Sequence, residues 1–475
     1  MHALTKKHII HSIISLVIIL IFWVAPPLAP MTDTGMKILG ILIAVIYGIV
    51  AMQDAAFPAI GGMFFLALTG YTTAQDAIVS ACGNFVVPML LGLLVVGGIM
   101  QQTGLARILA QKIASAKWAN GHPWRLTFLL LMACLIPSLF ITPMPVEIVL
   151  WAVVINIAES VGFKKTDKWP AMMIIGIAGL SGLITTAMPF SMVWATNLGV
   201  YAAAGGDPTY NVGAYVITSL ILCVGLALIQ TLVMRFIFRP DVTPLLNYKA
   251  DEAPKFEKNQ KIALVLLVIF VILVLLPSFI PMGSFIGGFG TIGACFAVLF
   301  IAMALRNKDG TPFVSFQEIF SKHVFWSIIA MVAALMVLCG CLTDQSLGIA
   351  AFFTNIISPI TNMGPLACYA VLILIAILGT NFLDGMVVGV VLTAVISMMS
   401  DKLAYSGIAL LVMITHAGEF GILLPSASAN AALAYGQCET GWVRKKDFIK
   451  QGALYMLILF ILLLVIGYPT LGWFA

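Results

Sequence analysis

Apolar runs of about 17 to 25 residues recur along the whole chain, and each is long enough to cross a hydrocarbon core about 30 Å thick. Only 9% of the 475 residues are charged and 61% are hydrophobic, against about 25% charged in a soluble domain. Most of the surface therefore cannot face water, and the chain reads as an all-α polytopic membrane protein. A β-barrel would alternate polar and apolar residues over segments of about 10, which this sequence does not do. The first run, 9–28, follows Lys6, Lys7 and His8, and Pro26-Pro27-Leu28-Ala29-Pro30 offers no clear cleavage site. It reads as an uncleaved span rather than a signal peptide. The eight cysteines show no metal-ligand spacing, and the net charge of +5 reflects loop orientation, not a nucleic-acid partner.

Single spans are expected at 9–28, 37–52, 55–70, 84–101, 212–236, 261–281, 285–305, 324–342 and 450–474. Residues 126–162 form two apolar arms around Thr142-Pro143-Met144-Pro145, and 365–400 form two arms around Gly379 to Gly385. The stretches 169–203 and 405–436 are too long for one straight helix and carry breaks at Thr185-Thr186-Ala187-Met188-Pro189 and at Leu424-Pro425-Ser426-Ala427-Ser428-Ala429-Asn430. With the N-terminus inside and the two-armed segments returning to their side of origin, all 24 Lys and Arg except Lys37 and Lys402 fall on the cytoplasmic side, as the positive-inside rule requires. The C-terminus then lies outside.

The halves repeat. An offset of 242 pairs Ser138 with Thr380 and Thr142 with Asp384, and a broken helix follows each two-armed segment. The span at 37 runs inward and its counterpart at 261 outward, so the repeats are inverted, as in many secondary transporters. The expected organisation is an N-terminal span, 1–36; repeat 1, 37–237; a cytoplasmic linker, 238–260; and repeat 2, 261–475. It holds two re-entrant hairpins (126–162 and 365–400), two broken helices and about 11 spans in all.

Backbone groups within lipid must be satisfied by protein or by a wet cavity, so four interruptions at related places point to a binding site. Half-helix N-termini there would attract an anion, and free carbonyls and hydroxyls would suit a cation such as Na+. No Lys or Arg lies near any of the breaks. Substrate contacts are expected from Thr142, Pro143, Met144, Ser191, Asn197, Asp384, Gly385, Met386, Ser426, Ser428 and Asn430. Ion coupling is expected at Ser138, Thr142, Thr186, Thr380, Asn381 and Asp384. Glu147, His416 and Glu419 are candidates for a proton-linked role; His416 and Glu419 share a helix face, which suggests a hydrogen bond between them.

At these residues the chain resembles the divalent anion/sodium symporter (DASS) family of the ion transporter superfamily. The segment from Leu424 to Gly436 looks like that family's second broken-helix loop, and Thr380-Asn381-Phe382 like the approach to its second hairpin tip. Ser138 and Thr380 match its sodium-ligand positions. The tips themselves depart from its Ser-Asn-Thr motif: they read Thr142-Pro143-Met144 and Asp384-Gly385-Met386. The resemblance implies an elevator-type carrier of a small di- or tricarboxylate-like anion, dimeric in the bilayer. The drive would be Na+, H+ or exchange, and no cofactor is needed beyond a coupling Na+. The expected location is the bacterial inner membrane. A cation/proton antiporter of the same superfamily is the alternative. Enzyme chemistry is not expected, because no metal cluster or nucleophile–base pair is present.

Overall fold

The computed structural model describes residues 6–474 apart from 53, 55, 84, 140–142, 251, 280–289, 308, 343, 384, 401–402 and 426, and describes only the backbone at 7, 50, 277–279, 356–358, 361, 398 and 429. Among the described residues there is no strand beyond one bridge between Arg306 and Pro312.

The first half comprises α1 (Lys6–Val24), α2 (Asp33–Met52), α3 (Ala56–Leu68), α4 (Ala74–Gly83), α5 (Val86–Gln102), α6 (Leu105–Ala114), α7 (Pro123–Ser138), α8 (Pro143–Ser160), α9 (Lys168–Ile184), α10 (Met192–Ala203) and α11 (Val212–Val233). The second comprises α12 (Lys258–Phe279), α13 (Gly290–Ala304), α14 (Phe316–Lys322), α15 (Trp326–Leu342), α16 (Ile349–Thr361), α17 (Pro365–Gly379), α18 (Gly385–Met399), α19 (Gly407–Gly418), α20 (Ala429–Gly436) and α21 (Lys445–Leu462).

Four helical segments are long and apolar enough to cross a membrane: Pro143–Ser160, Val212–Phe238, Lys258–Leu276 and Lys445–Trp473. Two bent pairs raise the number to six, α4 with α5 at 49° and α14 with α15 at 66°. Shorter apolar helices fill the rest of the bundle. This is a multi-pass membrane protein.

Local chemistry explains where the elements start and stop. α7 and α17 both begin on a proline, Pro123 and Pro365, whose fixed φ and missing N–H suit a first helical turn. Gly104 (φ 71°) and Gly348 (φ 70°) stand before the amphipathic helices α6 and α16, in a left-handed conformation that glycine adopts without a Cβ clash. α11 and α21 each run on into a π-helical turn, Met234–Phe238 and Leu463–Gly467. The paired helices α7–α8 and α17–α18 pack on each other as hairpins. At 15 residues each, α17 and α18 reach only about 22 Å, less than the hydrocarbon thickness.

Two apolar cores meet at α10 and α18. The larger takes Trp194, Leu198 and Tyr201 of α10 and Val388, Leu392 and Ile396 of α18. The smaller takes Val193 and Val200, with Met386, Val387, Val390 and Ala394, and joins them to α2, α3 and α15. Helical periodicity alone produces this division, because neighbours three or four apart share a face.

Candidate functional site

The two broken helices are interrupted at 185–191, between α9 and α10, and at 419–428, between α19 and α20. A serine ends each interruption. Ser191 Oγ accepts from Trp194 N at 3.2 Å and Ser428 Oγ from Ala431 N at 3.0 Å, so both are N-caps. Ser428 also donates to Gly421 O at 3.3 Å. Where α9 stops, Thr185 and Thr186 donate back to Gly182 O (2.6 Å) and Leu183 O (2.8 Å), and Tyr215 of α11 donates its hydroxyl to Thr186 O.

Glycines let the interruptions touch. A Cβ on Gly182 of α9 would lie 2.3 Å from Glu419 O. One on Gly385, the first residue of α18, would lie 2.3 Å from Gly418 O, 2.9 Å from Glu419 Oε1 and 3.0 Å from Thr380 Oγ1. One on Gly421 would lie 2.7 Å from Thr380 O. Only an absent side chain permits such approaches. The result gathers the second hairpin tip, the second break and the end of α9 in one region, with Thr380 Oγ1 buried there and without a hydrogen-bond partner.

Asn381 fastens the same region. It is 2% exposed; its Oδ1 accepts from Ile422 N (3.1 Å) and Leu423 N (2.9 Å), and its Nδ2 donates to Ile377 O (2.8 Å). Both lone pairs of the amide oxygen are thus used, and as placed Asn381 clamps hairpin to break. On α10, Asn197 is fully buried and donates from Nδ2 to Thr415 Oγ1 of α19 at 3.0 Å. Its amide lies against Gly389 of α18, so one side chain joins three helices. Asn197 Oδ1 has no partner among the described residues.

His416 does not bond Glu419, contrary to the expectation from their spacing. Its Nδ1 lies 2.7 Å from Val412 O and its Nε2 lies 2.9 Å from Ser219 Oγ of α11, so both ring nitrogens are engaged away from Glu419. Glu419 instead turns toward Gly385 and Thr380. Glu147 is fully buried on α8, faces Ser181 of α9, and has neither oxygen hydrogen-bonded. Ser138, at the end of α7, is buried with an unpartnered hydroxyl. Pro143 and Met144 open α8, and Gly385 and Met386 open α18. Asn430 lies in the first turn of α20. Thr142, Asp384 and Ser426 lie outside the described residues.

Sequence reasoning did not single out Thr415, Ser181, Ser219 or the contacts of Gly182 and Gly421. No group of three or more His, Cys, Asp or Glu among the described residues could hold a metal ion. A cavity of about 460 Å³, lined by Tyr71, Ser80, Phe85, Gly199, Met336 and Cys341 among others, opens beside the far end of α10 and away from the interruptions.

No curated protein matches the chain in sequence. Among solved structures, the chain is similar to the YdaH transporter of Alcanivorax borkumensis, whose crystal structure is described as having an unusual topology; the match covers 93% of this chain and 98% of that one at 16% identity, with a TM-score of 0.60. That likeness establishes a shared fold. A family profile described as "CitMHS: Citrate transporter" matches residues 35–418, and since this is most of the chain, including both hairpins and the first broken helix, the chain belongs to the citrate transporter family.

Proposed function

We propose that the chain is a secondary active carrier of citrate or a closely related di- or tricarboxylate, working by elevator-type alternating access. The observation that carries this reading is the meeting of the interruptions. Gly182, Gly385 and Gly421 bring hairpin, break and helix end into backbone contact at a place without Lys or Arg. In lipid, non-helical backbone is tolerated where it lines a protected or wet cavity. The substrate-binding set is Thr142, Pro143, Met144, Ser191, Asn197, Asp384, Gly385, Met386, Ser426, Ser428 and Asn430. Because Ser191 and Ser428 cap α10 and α20, their helix N-termini rather than free hydroxyls would meet the carboxylates. Ser138, Thr186 and Thr380 keep oxygen lone pairs for a coupling cation. A Na+ or proton gradient, or exchange against a second anion, supplies the drive.

The architecture in this reading is a pair of inverted repeats, 37–237 and 261–475, joined by the linker 238–260, with about 11 spans. Several matched features support it: a bent pair, a left-handed glycine before an amphipathic helix, a proline-started hairpin, a broken helix and a π-turn at the end of the long final helix, each occurring once per half. The hairpins are re-entrant, the protein is a homodimer of the bacterial inner membrane, and its N-terminus is cytoplasmic. The resemblance to the divalent anion/sodium symporters implies a carboxylate carrier, in keeping with membership of the citrate transporter family.

The test is thermal stability of the purified protein against citrate, other carboxylates, sulfate and sugar acids, with and without Na+. A ligand at about 100 times its Kd stabilises the folded state by roughly 2.7 kcal/mol. Stabilisation by citrate but not by neutral solutes is expected. Stabilisation by no organic anion, with Na+-driven proton movement instead, would replace this reading by the cation/proton antiporter.

A further inference from the structure

Glu147 lies one turn into α8, fully buried, and neither of its carboxyl oxygens has a hydrogen-bond partner. The helices packed on α8 are α6, α7 and α9. From α7 the titratable group near the carboxyl among the described residues is the Cys134 thiol, itself buried; Arg125 sits at the opposite end of that helix, over the Trp118 ring. From α9 comes the Ser181 hydroxyl, while Lys168 begins the far end. From α6, Arg107 is exposed and Lys112 rests over the Phe256 ring. Among the described residues, no cation therefore faces Glu147.

A carboxylate in such a place would be desolvated without compensation, and a group so placed neutralises instead. The N-terminal end of α8 attracts negative charge, but by much less than desolvation opposes it. Ser181 Oγ is hydrogen-bonded to Ala178 O of its own helix at 2.8 Å and leaves both Glu147 oxygens unpartnered. Ser181 is also followed by Gly182, the residue in backbone contact with Glu419 O. The dry carboxyl thus abuts the helix end around which the candidate site is assembled.

We propose that Glu147 is a proton-carrying carboxyl: it holds a proton while α7–α8 is packed on α9, and releases it to water when that contact opens, tying solute movement to proton movement. The proposal rests on the carrier reading above and deepens it by naming the drive and the residue that carries it.

The test uses full-length protein in liposomes, with radiolabelled citrate as probe and the membrane potential clamped at zero. A gradient of about one pH unit holds about a tenfold accumulation for each coupled proton. Wild type is expected to accumulate citrate under this gradient. Glu147→Gln, which keeps the shape of the protonated acid, is expected still to exchange internal for external citrate but to lose accumulation. In parallel, infrared spectra in D2O are expected to contain the carbonyl stretch of a buried protonated carboxyl at neutral pH. That band should be absent in Glu147→Gln and unchanged in Glu159→Gln, the exposed glutamate near the other end of α8. Accumulation that survives Glu147→Gln, or the lack of any protonated-acid band that this change removes, overturns the proposal. If Glu147→Gln does not fold, Glu147→Asp decides: a shifted pH profile of accumulation supports the proposal, and one superimposable on wild type overturns it. Should wild type carry no citrate at all, the carrier reading fails for that solute, while the infrared band still decides whether Glu147 holds a proton.

Discussion

Replacing Asn381 with leucine tests whether the second hairpin and the second break are fastened together. The change keeps the number of side-chain heavy atoms and the branch at Cγ, and removes the acceptor that Ile422 N and Leu423 N now share at 3.1 and 2.9 Å. These N–H groups belong to a non-helical segment and have no alternative carbonyl one turn away. A buried donor left without a partner costs about 1–3 kcal/mol. Ile422 is buried whereas Leu423 is half-buried, so water can partly rescue the second, and the sum falls at about 2–4 kcal/mol. Side-chain hydrogen bonds between membrane helices average only about 0.6 kcal/mol, but there the freed groups find new partners. Here the orphaned groups are main-chain, and the larger figure applies. Domains of about 150–250 residues lose about 2–4 °C per kcal/mol; for a chain of this size about 1–2 °C is appropriate, giving a fall of about 2–8 °C. Six of the eight cysteines are buried and none is disulfide-bonded, so a thiol-reactive fluorophore reports unfolding directly. Asn381→Asp retains the acceptor and should lose less than Asn381→Leu. A leucine variant melting within about 1 °C of wild type would refute the clamp.

Two other outcomes follow from the same geometry. Gly182→Ala and Gly385→Ala each force a Cβ to within 2.3 Å of a backbone carbonyl oxygen, whereas Gly61→Ala meets nothing within 4 Å; the first two should lower the melting midpoint and abolish citrate stabilisation, and Gly61→Ala should leave both intact or gain up to about 1 kcal/mol of helix propensity. Outside the spans, Asp344 accepts from Ser346 N and the Tyr71 hydroxyl (2.7 Å), and hydrogen bonds from Ser346 first and Tyr71 second hold its carboxyl below the usual range. Because its folded pKa is depressed, the tie contributes above the ordinary carboxylate pKa near 3.9 and is lost as pH falls through the depressed value. Tyr71→Phe should therefore lower the melting midpoint slightly at neutral pH and not at all in strong acid, and a gap that persists unchanged in acid would contradict this.

The interruptions were legible because proline, serine and threonine clustered where a long apolar run should have continued. α9 ends at Ile184 and α19 at Gly418, just ahead of two of these clusters, and α7 ends at Ser138 and α17 at Gly379, while 140–142 and 384 lie outside the described residues. The short helices α4 and α14 were not anticipated, since stretches such as Ala74-Gln75-Asp76 and Phe316-Gln317-Glu318 are too polar to register as spans. Partners distant in sequence were also invisible. Helical spacing could set His416 beside Glu419, but Ser219 reaches it from a helix 197 positions away. A lone asparagine in a break reads equally as ligand or clamp. What decides for Asn381 is that two backbone N–H groups some 41 and 42 positions later turn toward it, which no local pattern encodes.

The two faces of α10 and α18 also differ mechanically. Toward the larger core they present Trp194, Tyr201, Leu392 and Ile396, long or ring-bearing side chains that interlock with their neighbours. Toward α2, α3 and α15 they present mainly Val193, Val200, Val387, Val390 and Ala394. Alanine has no side-chain torsion to reset and valine has one, held in a single rotamer in a helix. Met386 is the one long side chain that α18 adds to this buried face. From α10 and α18, the smaller core thus receives mostly short, branched or small side chains, and the larger core receives the long and ring-bearing ones.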